Sequence, residues 1–181
     1  MTELTYYHGT NMIINTIDFT KCRLRTDFGK GFYLTDKTET AQNWAIRRME
    51  FSSGTPTVLR YDIHNGLFTL HGKRFESTPS LEWIHFICLN RRLDDKRMLI
   101  NEPRHDYNWV SGPIANDKIA NVIDDFLEGE ITDVEAVHRA RALPFTFQLS
   151  LHTTEAINYI NALDVVYKQY KNNKWSQNWQ H

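Results

Sequence analysis

Apolar and polar positions change period several times along the chain, and each change marks an element. Leu4 to His8 reads as a short strand ending at Gly9. Residues 12–26 hold no period and read as a loop with a turn of helix. Gly31 to Thr35 reads as a second strand, because aromatic and β-branched types suit a pleated surface. Asp36 and Glu39 stand at capping-box spacing. Ala41, Trp44, Ala45 and Met49 then recur at helical spacing, predicting a helix that ends at Ser53-Gly54-Thr55-Pro56. Thr57 to Ile63 alternates as a strand, and Asn65-Gly66 predicts a turn into a paired strand over Leu67 to Leu70.

In the second half, Thr78-Pro79 predicts an N-cap and first helical position for a helix reaching Arg91. Tyr107 to Ser111 reads as a short strand. Residues 116–127 form an amphipathic helix with Ile119, Val122, Ile123 and Phe126 as its buried stripe and Asn116-Asp117 at its cap. A helix over 132–142 stops at Pro144, and Phe145 to Leu151 is a strand. Thr153 caps a last helix carrying Ile157, Ile160 and Leu163. From Lys168 the chain reads KQYKNNKWSQNWQH, a polar tail that is either mobile or docked through its tryptophans. Strands and helices mix without a βαβ rhythm, so the expected class is α+β.

Composition narrows the function classes. At 181 residues the chain makes one domain, expected over 1–167 with the tail over 168–181. A net charge of −1 argues against a dedicated nucleic-acid binder. The two cysteines, Cys22 and Cys88, form no CxxC pair and no disulfide framework, and Cys88 lies in an apolar run that predicts a packed thiol. The eight histidines show no HxxxH or HExxH spacing, so no metal is expected. MTELTYYHGT has neither a basic start nor a long apolar run, and no stretch approaches the roughly 18 apolar residues of a membrane span. Cytoplasmic residence is expected, with export by a signal-free route left open.

The candidate chemistry lies in two short stretches, YYHGT at 6–10 and DFGKGFYLT at 27–35. The second lacks Walker A spacing, which removes a P-loop NTPase. Together with Thr40-Ala41-Gln42-Asn43-Trp44-Ala45, the two stretches resemble the poly(ADP-ribose) polymerase-like branch of the ADP-ribosyltransferase superfamily. The resemblance is closer to the bacterial family called domain of unknown function 3990, which shares the blocks Glu82 to Ile87, Asp106 to Asp117 and Gln148 to Thr153. It extends from about Tyr6 to Leu163.

The resemblance implies a split pair of small, mainly antiparallel sheets around an NAD cleft, flanked by helices. It implies that Gly9 lies against the nicotinamide carboxamide, His8 bonds the adenine-side ribose and Thr10 contacts the same ribose. Tyr33 would stack on the cationic nicotinamide ring. Phe28, Gly29, Lys30 and Gly31 would pass beside the nucleotide, with Arg25 and Arg23 as phosphate candidates and Phe32 facing the core. In the family pattern a Glu on a late strand bonds the ribose 2′-hydroxyl; this chain carries Gln148 there, an acceptor without charge. The implied catalytic set is His8, Tyr33 and Gln148. The implied activity is mono-ADP-ribosyl transfer from NAD to a protein or nucleic-acid acceptor, as in a bacterial toxin or effector with a cognate antitoxin or regulator. A non-catalytic NAD or ADP-ribose binding module and an NAD glycohydrolase are the alternatives. Glu155 is a second acid nearby, read first as a helix-start residue. His152 reads as a capping or core residue.

Overall fold

Eight strands form one sheet in a computed structural model that describes residues 3–91 and 105–181. In chain order they are β1 (Glu3–Thr10), β2 (Phe32–Thr35), β3 (Thr57–His64), β4 (Gly72–Arg74), β5 (Trp109–Pro113), β6 (Phe147–Leu151), β7 (Ile160–Lys171) and β8 (Lys174–Trp175). Their order across the sheet is β4-β5-β6-β2-β1-β3-β7-β8. Among the described residues only the β4–β5 pair is parallel. Five α-helices accompany them: α1 (Thr38–Arg48), α2 (Leu81–Arg91), α3 (Asp117–Leu127), α4 (Asp133–Arg141) and α5 (Thr154–Ile157).

The mixed helix and strand content agrees with the expected class, but the described strands form one sheet and not the expected two. One sheet runs through, narrowed at a seam: β1 and β2 are in register at the single pair Tyr7 and Thr35. On one side of the seam β1 pairs with β3 over eight residues, from Glu3–His64 to Thr10–Thr57. On the other, β2 pairs with β6 over four and β5 with β6 over five.

Strand alternation sorts the side chains into faces. Phe32, Leu34, Leu149 and Leu151 join Leu59, Ile63 and Leu67 in one buried cluster. The intervening residues of β2 and β6 look the other way, where Phe28, Val110 and the apolar sides of α2, α3 and α4 pack. Trp83 is the largest fully buried side chain there, and its indole N–H donates to the Pro113 carbonyl at 3.2 Å. α3 follows its expected stripe, with Ile119, Val122 and Ile123 buried and Asn116 accepting from the amides of Lys118 and Ile119. Cys88 is buried, as expected of a packed thiol.

Several local expectations fail for definite reasons. α1 starts without the Asp36 cap, and Trp44 and Met49 are partly exposed; its buried face is Ala41 and Ala45 alone. Only small residues fit there, because α1 lies directly on Gly9, where an added Cβ would run into the Ala41 carbonyl. Leu67–Leu70 is no strand: Asn65–Thr69 closes a 3-10 turn that buries Leu67, and β4 pairs with β5 instead. α2 starts at Leu81, with the Ser80 hydroxyl accepting from Trp83 N at 3.2 Å. The last helix stops at Ile157, and the chain then enters β7, where Ile160 pairs with Ile63. A long ladder to β3 outweighs the helical spacing of the apolar residues.

β7 continues through the boundary expected at 167/168, and the tail is docked. Trp179 stacks on Tyr7 at 5.8 Å between ring centroids, with the Arg60 guanidinium and the Lys168 ammonium over its ring. Tyr167 and Gln180 exchange two main-chain hydrogen bonds of 2.9 Å.

Candidate functional site

The stretch from Thr26 to Gly31 folds over β2 and β6, and side chains hold it there. The Phe28 carbonyl accepts from His105 Nε2 at 2.8 Å. The Gly29 carbonyl accepts from the Tyr33 hydroxyl at 2.7 Å and from Thr26 Oγ1 at 2.5 Å. The Lys30 carbonyl accepts from His152 Nδ1 at 2.9 Å, and Phe28 N donates back to the Tyr33 oxygen at 2.9 Å. Gly31 permits this: a Cβ there would stand 2.7 Å from two atoms of the His152 ring.

Tyr33 is therefore held partly buried. Its ring lies 6.4 Å from Phe28 in a stacked arrangement and meets His152 edge-on at 6.5 Å. Burial drives its hydroxyl far above the usual phenol range. His152 donates through Nδ1, so its Nε2 accepts the proton of Ser150 Oγ at 2.8 Å. Burial and the neighbouring His105 lower the His152 pKa to about 3.

His8 occupies the other face. Its ring stacks on Phe32 at 4.4 Å, while Tyr33, the next residue on β2, points oppositely. The two expected partners meet through the main chain, with His8 Nδ1 donating to the Tyr33 carbonyl at 2.7 Å. Burial lowers the His8 pKa to about 4, so the ring is neutral at pH 7. With the proton fixed on Nδ1, Nε2 is a free acceptor; no donor among the described residues meets it. Gly9 follows with its Cα against α1, so helix packing already accounts for a glycine there. Thr10 is buried at the end of β1.

Gln148 sits opposite Thr35 in the β2–β6 ladder and is 7 % exposed. Its Nε2 donates to Asp27 Oδ2 at 2.7 Å and to the Pro113 carbonyl at 3.2 Å. Both neighbours can only accept, which fixes the amide orientation. Asp27 also accepts from Arg91 Nη2 at 2.5 Å and from Ala115 N at 2.9 Å. Arg25 has a left-handed backbone (φ 56°), and its Nε donates to the Arg91 carbonyl at 3.1 Å. Arg25 thus buttresses this cluster through main chain, and Lys30 makes no ion pair among the described residues.

Glu155 lies in the first turn of α5 and accepts from Asn108 Nδ2 at 3.3 Å, consistent with a helix-start role. A cavity of about 460 Å³ opens near the start of β6, lined by Tyr6, Asp36, Arg74, Phe147 and Gln148. Gln148 is the one expected site residue at that cavity. No group of three His, Cys, Asp or Glu among the described residues could hold a metal ion. No helix among them is long and apolar enough to cross a membrane.

Asp27, His105 and Ser150 were not among the expected site residues. One signal for Ser150 was present: Gln148, Ser150 and His152 alternate with Leu149 and Leu151, which puts three polar groups on one strand face. Asp27 and His105 carry no such periodic signal; chain crossings bring them in.

No curated protein and no solved structure matches the chain. A family model described as protein of unknown function (DUF3990) matches residues 4–162, close to the span over which the motifs of both strand ends were recognised. With the seam, the tied glycine loop and the Gln148 strand all inside that span, the chain belongs to the DUF3990 family.

Proposed function

We propose that the chain binds NAD at the seam and transfers its ADP-ribose to a macromolecular acceptor, as a mono-ADP-ribosyltransferase of toxin or effector type. The observation that carries this reading is the seam itself. After Tyr7, β1 leaves β2 without further register pairs, and His8 stands at that opening with a neutral ring and an uncommitted Nε2. A ribose hydroxyl is a donor that such an acceptor fits. On the opposite face of the sheet, at the cavity by β6, Gln148 offers a second acceptor, since both its N–H bonds are spent on Asp27 and Pro113. In the reaction the bond between ribose C1′ and the nicotinamide nitrogen breaks, and its electron pair leaves with nicotinamide. The acceptor's nucleophile bonds C1′ and loses its proton. The chain's task is to orient the ribose while positive charge develops on it. Tyr33 then serves by holding the glycine loop through its hydroxyl.

A second reading, binding of NAD or ADP-ribose without turnover, is favoured by one observation. The carboxylate nearest Gln148 is Asp27, and its charge is offset by Arg91. A neutral amide beside a neutralised acid stabilises an oxocarbenium ion weakly.

Incubating the protein with NAD labelled in the adenylate, in the presence of cell lysate, separates the readings. Transfer of label to protein or nucleic acid, with release of nicotinamide and loss of both in His8→Ala, supports the transferase. Saturable NAD binding by calorimetry without nicotinamide release supports the binding module. Nicotinamide release without label transfer identifies a glycohydrolase. Absence of NAD binding removes all three.

A further inference from the structure

We infer that Asp27 is the positioning residue for Gln148, and that its carboxylate is the reason this chain carries Gln rather than Glu on β6. The inference rests on the NAD reading above and concerns the same site.

Gln148 Nε2 lies 2.7 Å from Asp27 Oδ2 and 3.2 Å from the Pro113 carbonyl. Both acceptors draw the amino group, so Oε1 turns away from them, and no donor among the described residues meets it. A flipped amide would set Oε1 against two oxygens that cannot donate. Asp27 is itself immobile: it is 7 % exposed and also held by Arg91 Nη2 and Ala115 N. Contacts from β6, α2 and the segment after β5 converge on one carboxylate, which makes it a fixed reference for the amide.

The same distance explains the identity of residue 148. A Glu there would bring one carboxylate oxygen against another at hydrogen-bond range, where two acids cannot both ionise. One must keep a proton at neutral pH, or the two must separate. Gln keeps the acceptor and supplies the donor that Asp27 requires. The amide is thus matched to its neighbour, and a charged residue at 148 requires a change at 27.

Four proteins test this: wild type, Gln148→Glu, Asp27→Asn, and the double variant Asp27→Asn/Gln148→Glu. The double variant reverses the donor and acceptor of the bond between residues 27 and 148 and removes the paired carboxylates, while Ala115 N and the Pro113 carbonyl each lose a partner, so only part of the stability can return. Each is measured for thermal unfolding from pH 5 to 8, NAD binding by calorimetry, and kcat and KM of nicotinamide release. Gln148→Glu is expected to have a lower Tm than wild type at pH 7 and to recover as pH falls. The double variant is expected to recover part of the Tm lost in Gln148→Glu, without its pH dependence, and to raise kcat at least about tenfold over Gln148→Glu, with KM nearly constant. Asp27→Asn is expected to bind NAD with kcat lowered about tenfold or more. A Gln148→Glu protein that matches the double variant in Tm, pH profile and kcat overturns the assignment. A wild type that binds no NAD overturns the nucleotide reading, and the role of Asp27 toward the ribose with it.

Discussion

The two halves of the sheet are held by different means. The half built from β1, β3, β7 and β8 relies on main-chain ladders: eight register pairs join β1 to β3, and β7 extends over twelve residues. The half built from β2, β6, β5 and β4 has strands of three to five residues and relies on side chains. There His105, Tyr33 and His152 each bond a successive carbonyl of the glycine loop, and Asp27 gathers Arg91, Ala115 and Gln148. Ladders tolerate side-chain changes that keep the alternation. A loop tied by named side chains does not, because each bond depends on one residue type.

That contrast is testable by substitution, and the largest effect belongs to the side-chain half. Trp83→Ala empties a fully buried site and removes the bond to Pro113, so denaturant unfolding should show a loss of about 3–5 kcal/mol. Gly31→Ala should cost roughly 1–3 kcal/mol by overpacking against His152. It should also move the His152 ring toward an ordinary imidazole titration in an NMR experiment. An unchanged His152 signal would contradict the close approach at Gly31.

Acid should act on both sides of the seam. His8 and His152 are neutral in the folded state, with pKa values lowered from 6.5 to about 4 and about 3. Unfolding restores the ordinary value, so their contribution is complete above pH 6.5 and declines as pH falls toward the folded values. Tm should therefore fall between pH 6.5 and 4, and His8→Gln or His152→Gln should flatten that slope. The smallest effect is expected in the ladder half. Trp179→Ala removes the stack on Tyr7 and should cost about 0.5–1.5 kcal/mol while leaving β7 paired, as amide exchange would show.

The sequence made the periodic parts legible. α3 announces itself by an apolar stripe and an Asn cap, and β3 by its alternation. It failed where a distant partner decides the local state. Ile160 has helical spacing from Ile157, yet it joins β7 because Ile63 waits across the ladder. Trp44 has the spacing of a buried residue, yet Gly9 brings α1 so close that only alanines fit beneath it. Within the candidate site, His8, Tyr33 and Gln148 were recognisable as types, but their faces were not. Strand alternation separates Phe32 from Tyr33, whereas the face of His8 depends on how β1 meets β2, and one register pair sets that. Asp27 was visible only as the first letter of a motif; its partners Arg91 and Gln148 are 64 and 121 residues away.

The single rung at Tyr7 and Thr35 has a mechanical consequence. Parting β1 from β3 would break eight rungs, whereas spreading the waist breaks one, with the His8 imidazole as the side-chain tether beside it. Cohesion at the waist therefore falls to the apolar cluster in which Phe32, Leu34, Leu149 and Leu151 meet Leu59, Ile63 and Leu67, and the waist should open only when that core loosens.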